Sequence, residues 1–240
     1  TPPETHLFDF TFAMRGHHLF FNARYHDGPF VGFDHEGLWR DSNGRLGVVA
    51  VDGMAAPGMP AGAVFGSDDS ITFNHPIHFW AVNAKGHVAF NAYAEGGGVS
   101  TMGFDDEGIW VDDGNTLRLV VREGDPAPAV SPTARFGGEN GIDTFGNDSF
   151  SHMDIPVTIG GSGAVLFGAG VRDTGYPRRS SIWTDRNGSL ELIVREASQL
   201  PPGPKGSPAP GYPPGATFLE FGASFGAIKA REKIAFTATI

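Results

Sequence analysis

The sequence predicts an all-β protein, a β-propeller or propeller-like array of four-stranded units, with about 3.4 units of ~70 residues present. Three observations carry this. An apolar segment with a central Phe recurs at near-constant intervals, a Trp follows it at a steady distance, and no stretch sustains the 3.6-residue apolar period of a helix.

The segments "HHLFFNAR" (17–24), "GHVAFNAY" (86–93), "GAVLFGAG" (163–170) and "KIAFTAT" (233–239) align on Phe21, Phe90, Phe167 and Phe236, spaced 69, 77 and 69 residues apart. Downstream, "EGLW", "EGIW" and "SSIW" place Trp39, Trp110 and Trp183 at intervals of 71 and 73. Thirteen residues after each Trp stands an acid: Asp52, Glu123 and Glu196. Residues 1–240 therefore read as a single repeat array with units at approximately 5–73, 74–150, 151–219 and 220–240. The last unit is incomplete, which suggests a piece of a longer polypeptide.

Within a unit, the first strand is "FDFTFAM" (8–14), "IHFWAVN" (77–83), "IPVTIG" (155–160) or "FGAIKA" (225–230). The second strand carries the anchor Phe and the third carries the Trp. The fourth is "LGVVAV" (46–51), "LRLVVRE" (117–123) or "LELIVRE" (190–196). These runs are short, several are β-branched or aromatic, and Gly, Asn, Asp or Pro bounds them, as strands and turns require. "SNG", "DDGN" and "RNG" between strands three and four suit tight hairpins, because Gly and Asn accept positive φ.

Composition fits this reading. Twenty Phe in 240 residues argue for a packed interior, while 35 Gly and 18 Pro argue for many turns. With no Cys there is neither a disulfide framework nor a thiolate metal site. The net charge of −10 and the lack of a dense basic cluster beyond Arg178-Arg179 argue against nucleic acid as a partner. No apolar run is long enough for a membrane span.

The units resemble a widespread group of bacterial secreted repeat proteins. That group carries Asn-x-x-Gly-x-Val-Ala-Phe-x-Ala, then Gly-Ile-Trp, then Val-x-Arg-Glu-Gly-Asp-x-Ala-Pro. The second unit matches nearly throughout, at Asn83, Gly86, Val88 to Phe90, Ala92, Gly108 to Trp110 and Val121 to Pro128. The first unit has "AVDGM" (50–54) and the third "VREAS" (194–198), which lacks the Gly and Asp. The resemblance implies a bacterial, secreted or cell-surface protein with a propeller-like fold, and it brings no activity with it.

Candidate chemistry begins with histidine. His6, His75 and His152 each lie 15 residues before the anchor Phe. In a propeller this is the start of the innermost strand, on one rim, where imidazoles from successive blades could hold one divalent metal ion. Asp9, His78 and Asp154 follow closely. The competing reading is that these histidines satisfy backbone groups at a strand start, and Phe221 in the fourth unit shows that the position does not demand His. Asp34, Glu36, Asp105, Asp106 and Glu107, in "GFDHEG" (32–37) and "GFDDEG" (103–108), are oxygen donors of the kind calcium takes. As loops before a strand they read first as surface turns, and so does "ENGIDTFGND" (139–148). Trp80, beside His78 on the first strand, is a candidate for stacking on a sugar. Arg122-Glu123 and Arg195-Glu196 suggest a latch between blades. The Pro-rich "PPGPKGSPAPGYPPG" (201–215) reads as a long loop at one end of the unit, where a binding surface would lie.

No Gly-x-Ser-x-Gly elbow, P-loop, dinucleotide fingerprint or His-Glu-x-x-His is present, so no catalytic residue is assigned. The expectation is an exported, non-catalytic module that binds a glycan or other surface ligand, or self-assembles into an oligomer or filament. The alternative is a metal-assisted propeller enzyme, a lyase or hydrolase of an acidic polysaccharide, with the His6, His75 and His152 ion neutralising a uronate.

Overall fold

The computed structural model describes residues 6–26, 35–66, 77–99, 105–137, 157–173, 176–186, 188–197, 206–218, 220–229 and 233–239. Among these residues the fold is all-β, with no helix. The first sheet holds β1 (His6–Arg15), β2 (His18–His26), β3 (His35–Ser42) and β4 (Arg45–Val51) in chain order. The second is built on β7 (Val88–Gly96), β8 (Glu107–Asp112) and β9 (Leu117–Arg122). Two short strands, β5 (Ala63–Phe65) and β6 (Ile77–Val82), lie end to end along the free edge of β7. The third sheet repeats this plan. There β10 (Arg135–Phe136) and β11 (Thr158–Ile159) share the edge of β12 (Val165–Asp173), followed by β13 (Tyr176–Arg186) and β14 (Ser189–Arg195). Finally β15 (Glu220–Lys229) pairs with β16 (Lys233–Thr239). All registered pairs are antiparallel.

The chain divides into two compact units, one of Thr1–Thr101 with Asp105–Val120, the other of Met102–Phe104 with Val121–Ile240. The first unit contains the first sheet and nearly all of the second.

Register follows from the sequence pattern. Phe21 pairs with Trp39, Phe90 with Trp110 and Phe167 with Trp183, so in each sheet the anchor Phe and the Trp stand on one face. The glycine of the Gly-x-Trp motif has a steric reason. A Cβ at Gly37 would lie 2.5 Å from Trp39 Cη2, and one at Gly108 2.6 Å from Trp110 Cη2, because the indole lies back over the glycine two residues earlier. The third sheet has Ser181 there, and its hydroxyl accepts the Trp183 indole N–H at 2.7 Å. The β3–β4 turn places Asn43 and Gly44 at φ 57° and 78°, the paired positive φ of a type I′ hairpin.

The Pro-rich stretches depart from expectation. They are compact hairpins that repeat one hydrogen-bond set three times. Ala56 N bonds Ala63 O at 3.1 Å, Ala127 N bonds Ala134 O at 3.0 Å, and Ala209 N bonds Ala216 O at 3.0 Å. Phe65, Phe136 and Phe218 likewise donate their N–H to Met54, Asp125 and Ser207. The alanines at 56, 63, 127, 134 and 209 are buried. In the third hairpin a serine does the work of the missing Asp. Ser207 Oγ accepts the Arg195 N–H at 3.1 Å, as Asp125 Oδ2 accepts the Arg122 N–H at 2.9 Å. Residues 198–206 are therefore an insertion, and "SPAP" (207–210) resumes the motif. Gly206 returns so close that a Cβ there would meet Ala197 N at 2.6 Å.

Candidate binding surface

The first two hairpins hand their Phe to the following sheet. Phe65 meets Trp110 edge-on at 5.0 Å and 71°, and Phe136 meets Trp183 at 4.9 Å and 67°. The Trp110 indole N–H also donates to Pro57 O at 2.9 Å. Below this contact the inner face of the first sheet (Phe20, Leu38, Val49 and Ala50) packs on Val88, Phe90, Ala92 and Trp110 of the second, and all are buried. In both the second and third sheets the paired Phe and Trp are fully buried.

The first sheet presents the same stack to solvent. Phe21 and Trp39 lie 5.4 Å apart at 15° and are only half-buried. Their row continues to Phe12 on β1 and Val48 on β4, and the next row runs Met14, Leu19, Asp41, Leu46. Phe12, Met14, Leu46 and Val48 are exposed to 69%, 64%, 64% and 53%. An apolar surface running across all four strands of a sheet is the feature that marks association.

The other predicted residues fall as follows. His6 lies on β1, opposite His26. His75 and His152 lie outside the described residues, as do Asp34, Asp154 and 139–148. His78 lies on β6, and Trp80 on the same strand pairs with Phe90 and packs half-buried against the core. No cluster of three or more His, Asp or Glu suited to a metal ion occurs among the described residues. The acids expected at surface turns are buried: Glu36, Asp106 and Glu107 are each less than a tenth exposed. Glu36 Oε2 accepts the Ile77 N–H at 3.3 Å, and Glu107 Oε1 accepts the Asn91 amide at 3.2 Å. Their oxygens serve the backbone and the core. Two of the acids thirteen residues after Trp act within their own sheets. Asp52 bonds His35 Nδ1, and Glu196 Oε2 accepts the Ser180 N–H at 3.2 Å.

Residues 8–147 match the model of a family of unknown function, DUF7453. The chain belongs to that family. The DUF7453 match spans β1 through β10, that is, two consecutive sheets and the two hairpins that follow them. No curated protein and no solved structure matches the chain.

Proposed function

We propose that this chain is an exported, non-catalytic bacterial repeat module whose sheets form a propeller-like array and whose task is binding and assembly at the cell surface. The observation that carries the assembly part is the open outer face of the first sheet. The same Phe–Trp surface is closed by a preceding repeat in the second and third sheets. A face built for stacking fits another repeat, whether of the same polypeptide or of a second copy of the chain, and the assembly reading takes the second copy, since sheets pack face to face about 10 Å apart. Export rests on the resemblance of the Asn-x-x-Gly-x-Val-Ala-Phe and Arg-Glu-Gly-Asp segments to secreted repeat proteins.

Sedimentation velocity across a hundredfold concentration range tests the assembly part. The expected result is a concentration-dependent rise in mass that disappears when Phe12→Glu and Val48→Lys are combined, with the circular dichroism unchanged. A monomer at every concentration, or association indifferent to those substitutions, would overturn it. Fractionation of the source cells tests export, and recovery in the cytosol would refute it.

A further inference from the structure

At the tight-hairpin ends of the first and second sheets, within the first compact unit, lies an open cleft of about 400 Å³. We infer that it binds an oxyanion, the carboxylate, sulfate or phosphate group of a small polar ligand. Its lining brings together Arg40 on β3, Arg45 on β4 and Lys85 in the β6–β7 turn, with Asp113 the one acid among the lining residues. This local excess of positive charge stands out on a chain of net charge −10.

Arg40 is the fixed element. Its Nη1 lies 3.2 Å from Asp112 Oδ2 and donates to Gly86 O at 3.4 Å, so the guanidinium is held at the floor by the second sheet. Arg45 and Lys85 are exposed and form no ion pair among the described residues. They supply the charge a ligand would use. The cleft is kept open by missing side chains. A Cβ at Gly86 would fall 2.7 Å from the His18 ring, and one at Gly114 would lie 3.4 Å from Arg40 Nη1. His18 is itself fixed by a 3.1 Å hydrogen bond between Nδ1 and Ser42 Oγ. Asp113 is already engaged, because its Oδ1 accepts the N–H groups of Asn115 and Thr116, each at 2.9 Å.

The repeat supplies an independent argument, because it separates what the fold needs from what it does not. Arg40 follows Trp39, and the same position holds Val111 and Thr184 in the other units. Arg45 corresponds to Thr116 and Ser189, and Lys85 to Gly16, Ser162 and, in the fourth unit, Arg231. The second and third sheets form without a cation at the places of Arg40 and Arg45, and the first and third without one at that of Lys85. Arg40 is held by Asp112, so the charges of Arg45 and Lys85 are the ones the fold leaves to a ligand. The cleft meets the stacking face at Leu46, which borders both, but its charged groups Arg45 and Lys85 are not among the apolar side chains of that face.

Isothermal titration of the intact chain with inorganic sulfate, inorganic phosphate, a galacturonate oligomer and a neutral galactose oligomer tests the inference. Binding of at least one anionic probe is expected. It should weaken roughly tenfold in the Arg45→Gln, Lys85→Gln double variant, as loss of charge-assisted contacts implies, and weaken further with salt. Binding of the inorganic ions identifies a free anion as the ligand, and binding of the galacturonate oligomer alone identifies an acidic saccharide. The inference fails if no anionic probe binds, if the variant binds as well as the parent, or if the neutral oligomer binds equally. Both substitutions are at exposed positions and remove none of the apolar side chains of the stacking face, so sedimentation of the double variant should match the parent.

Discussion

The first and second sheets are built from the same signature yet hold their tryptophans differently. Phe21 and Trp39 stack at 5.4 Å and 15°, Phe90 and Trp110 at 6.2 Å and 18°, and in each case the indole lies over a glycine two residues earlier. Trp110 is nevertheless fully buried, with its N–H bonded to Pro57 O and Phe65 set T-shaped against it, while Trp39 is half open. Within-sheet residues are enough to make the stack. Burial comes from the preceding hairpin, 53 residues away for the Pro57 bond, and from the inner face of the first sheet. Stability in such an array lies largely between neighbours rather than within units. The polar interior follows the same division. In the second sheet Asn91 donates to Glu107, whereas in the first the Glu36 carboxylate is turned to the Ile77 N–H of the next sheet, and Asn22 Nδ2 is buried without a partner among the described residues.

The largest expected effect comes from removing each indole in turn. Trp110→Ala should destabilise the protein by about 3–5 kcal/mol, the usual cost of deleting a fully buried aromatic side chain. Trp39→Ala should cost about 1–2 kcal/mol, because much of its surface is already in water. Urea denaturation at dilute protein concentration measures both. Equal costs would mean that the hairpin adds nothing to the second stack and would remove the contrast.

This division also explains what was legible in the sequence. The long strands were readable because Phe, Trp and the acid thirteen residues beyond recur at fixed offsets that the register then enforces. The hairpins were not, since Pro and Gly mark them as loops and their strands, β5 and β10, span three and two residues. A signal was nonetheless present, as Ala-Pro, five residues, then Ala-x-Phe occurs at 56–65, 127–136 and 209–218. The cleft escaped notice for another reason. Arg40, Arg45 and Lys85 match no local motif, and only the packing of two sheets brings them together. Their trace is a departure from the repeat, visible once the units are aligned position by position.

A smaller effect sharpens the role of the hairpin. Gly58, Ala129 and Gly211 occupy the same place in the three hairpins, at φ 85°, 65° and 88°. A Cβ at Gly58 would also fall 2.6 Å from Leu119 Cβ, on the strand the first hairpin covers. Gly58→Ala therefore combines left-handed strain with overpacking and should cost about 1–3 kcal/mol. Ala129→Gly relieves that strain while loosening the unfolded chain, so it should change stability by less than about 1 kcal/mol. Thermal denaturation of the two variants decides the matter. A neutral Gly58→Ala would show that the hairpin yields freely and does not clamp the second sheet.

The smallest effect lies in the turns that end the two sheets. The first sheet closes its β3–β4 hairpin with backbone geometry, Asn43 and Gly44 both at positive φ. The second closes β8–β9 with a charge. The N–H groups of Asn115 and Thr116 bond the Asp113 carboxylate and hold its pKa below the ordinary 3.8. A carboxyl whose pKa is lowered by folding contributes stability that is full above its unfolded value and is lost as pH falls through the folded one. The turn of the second sheet should therefore loosen below pH 3.8, while the first, which needs no ionised group, should not. The effect is local and modest because Asp113 is exposed and water screens it. Amide protection factors for Asn115 and Thr116, followed from pH 5 to pH 2 and compared with those at Asn43 and Gly44, measure it. They should fall in the second turn only, and Asp113→Asn should abolish the pH dependence. A parallel fall in both turns would show that acid acts on the unit as a whole and that the two sheets do not differ in how they close.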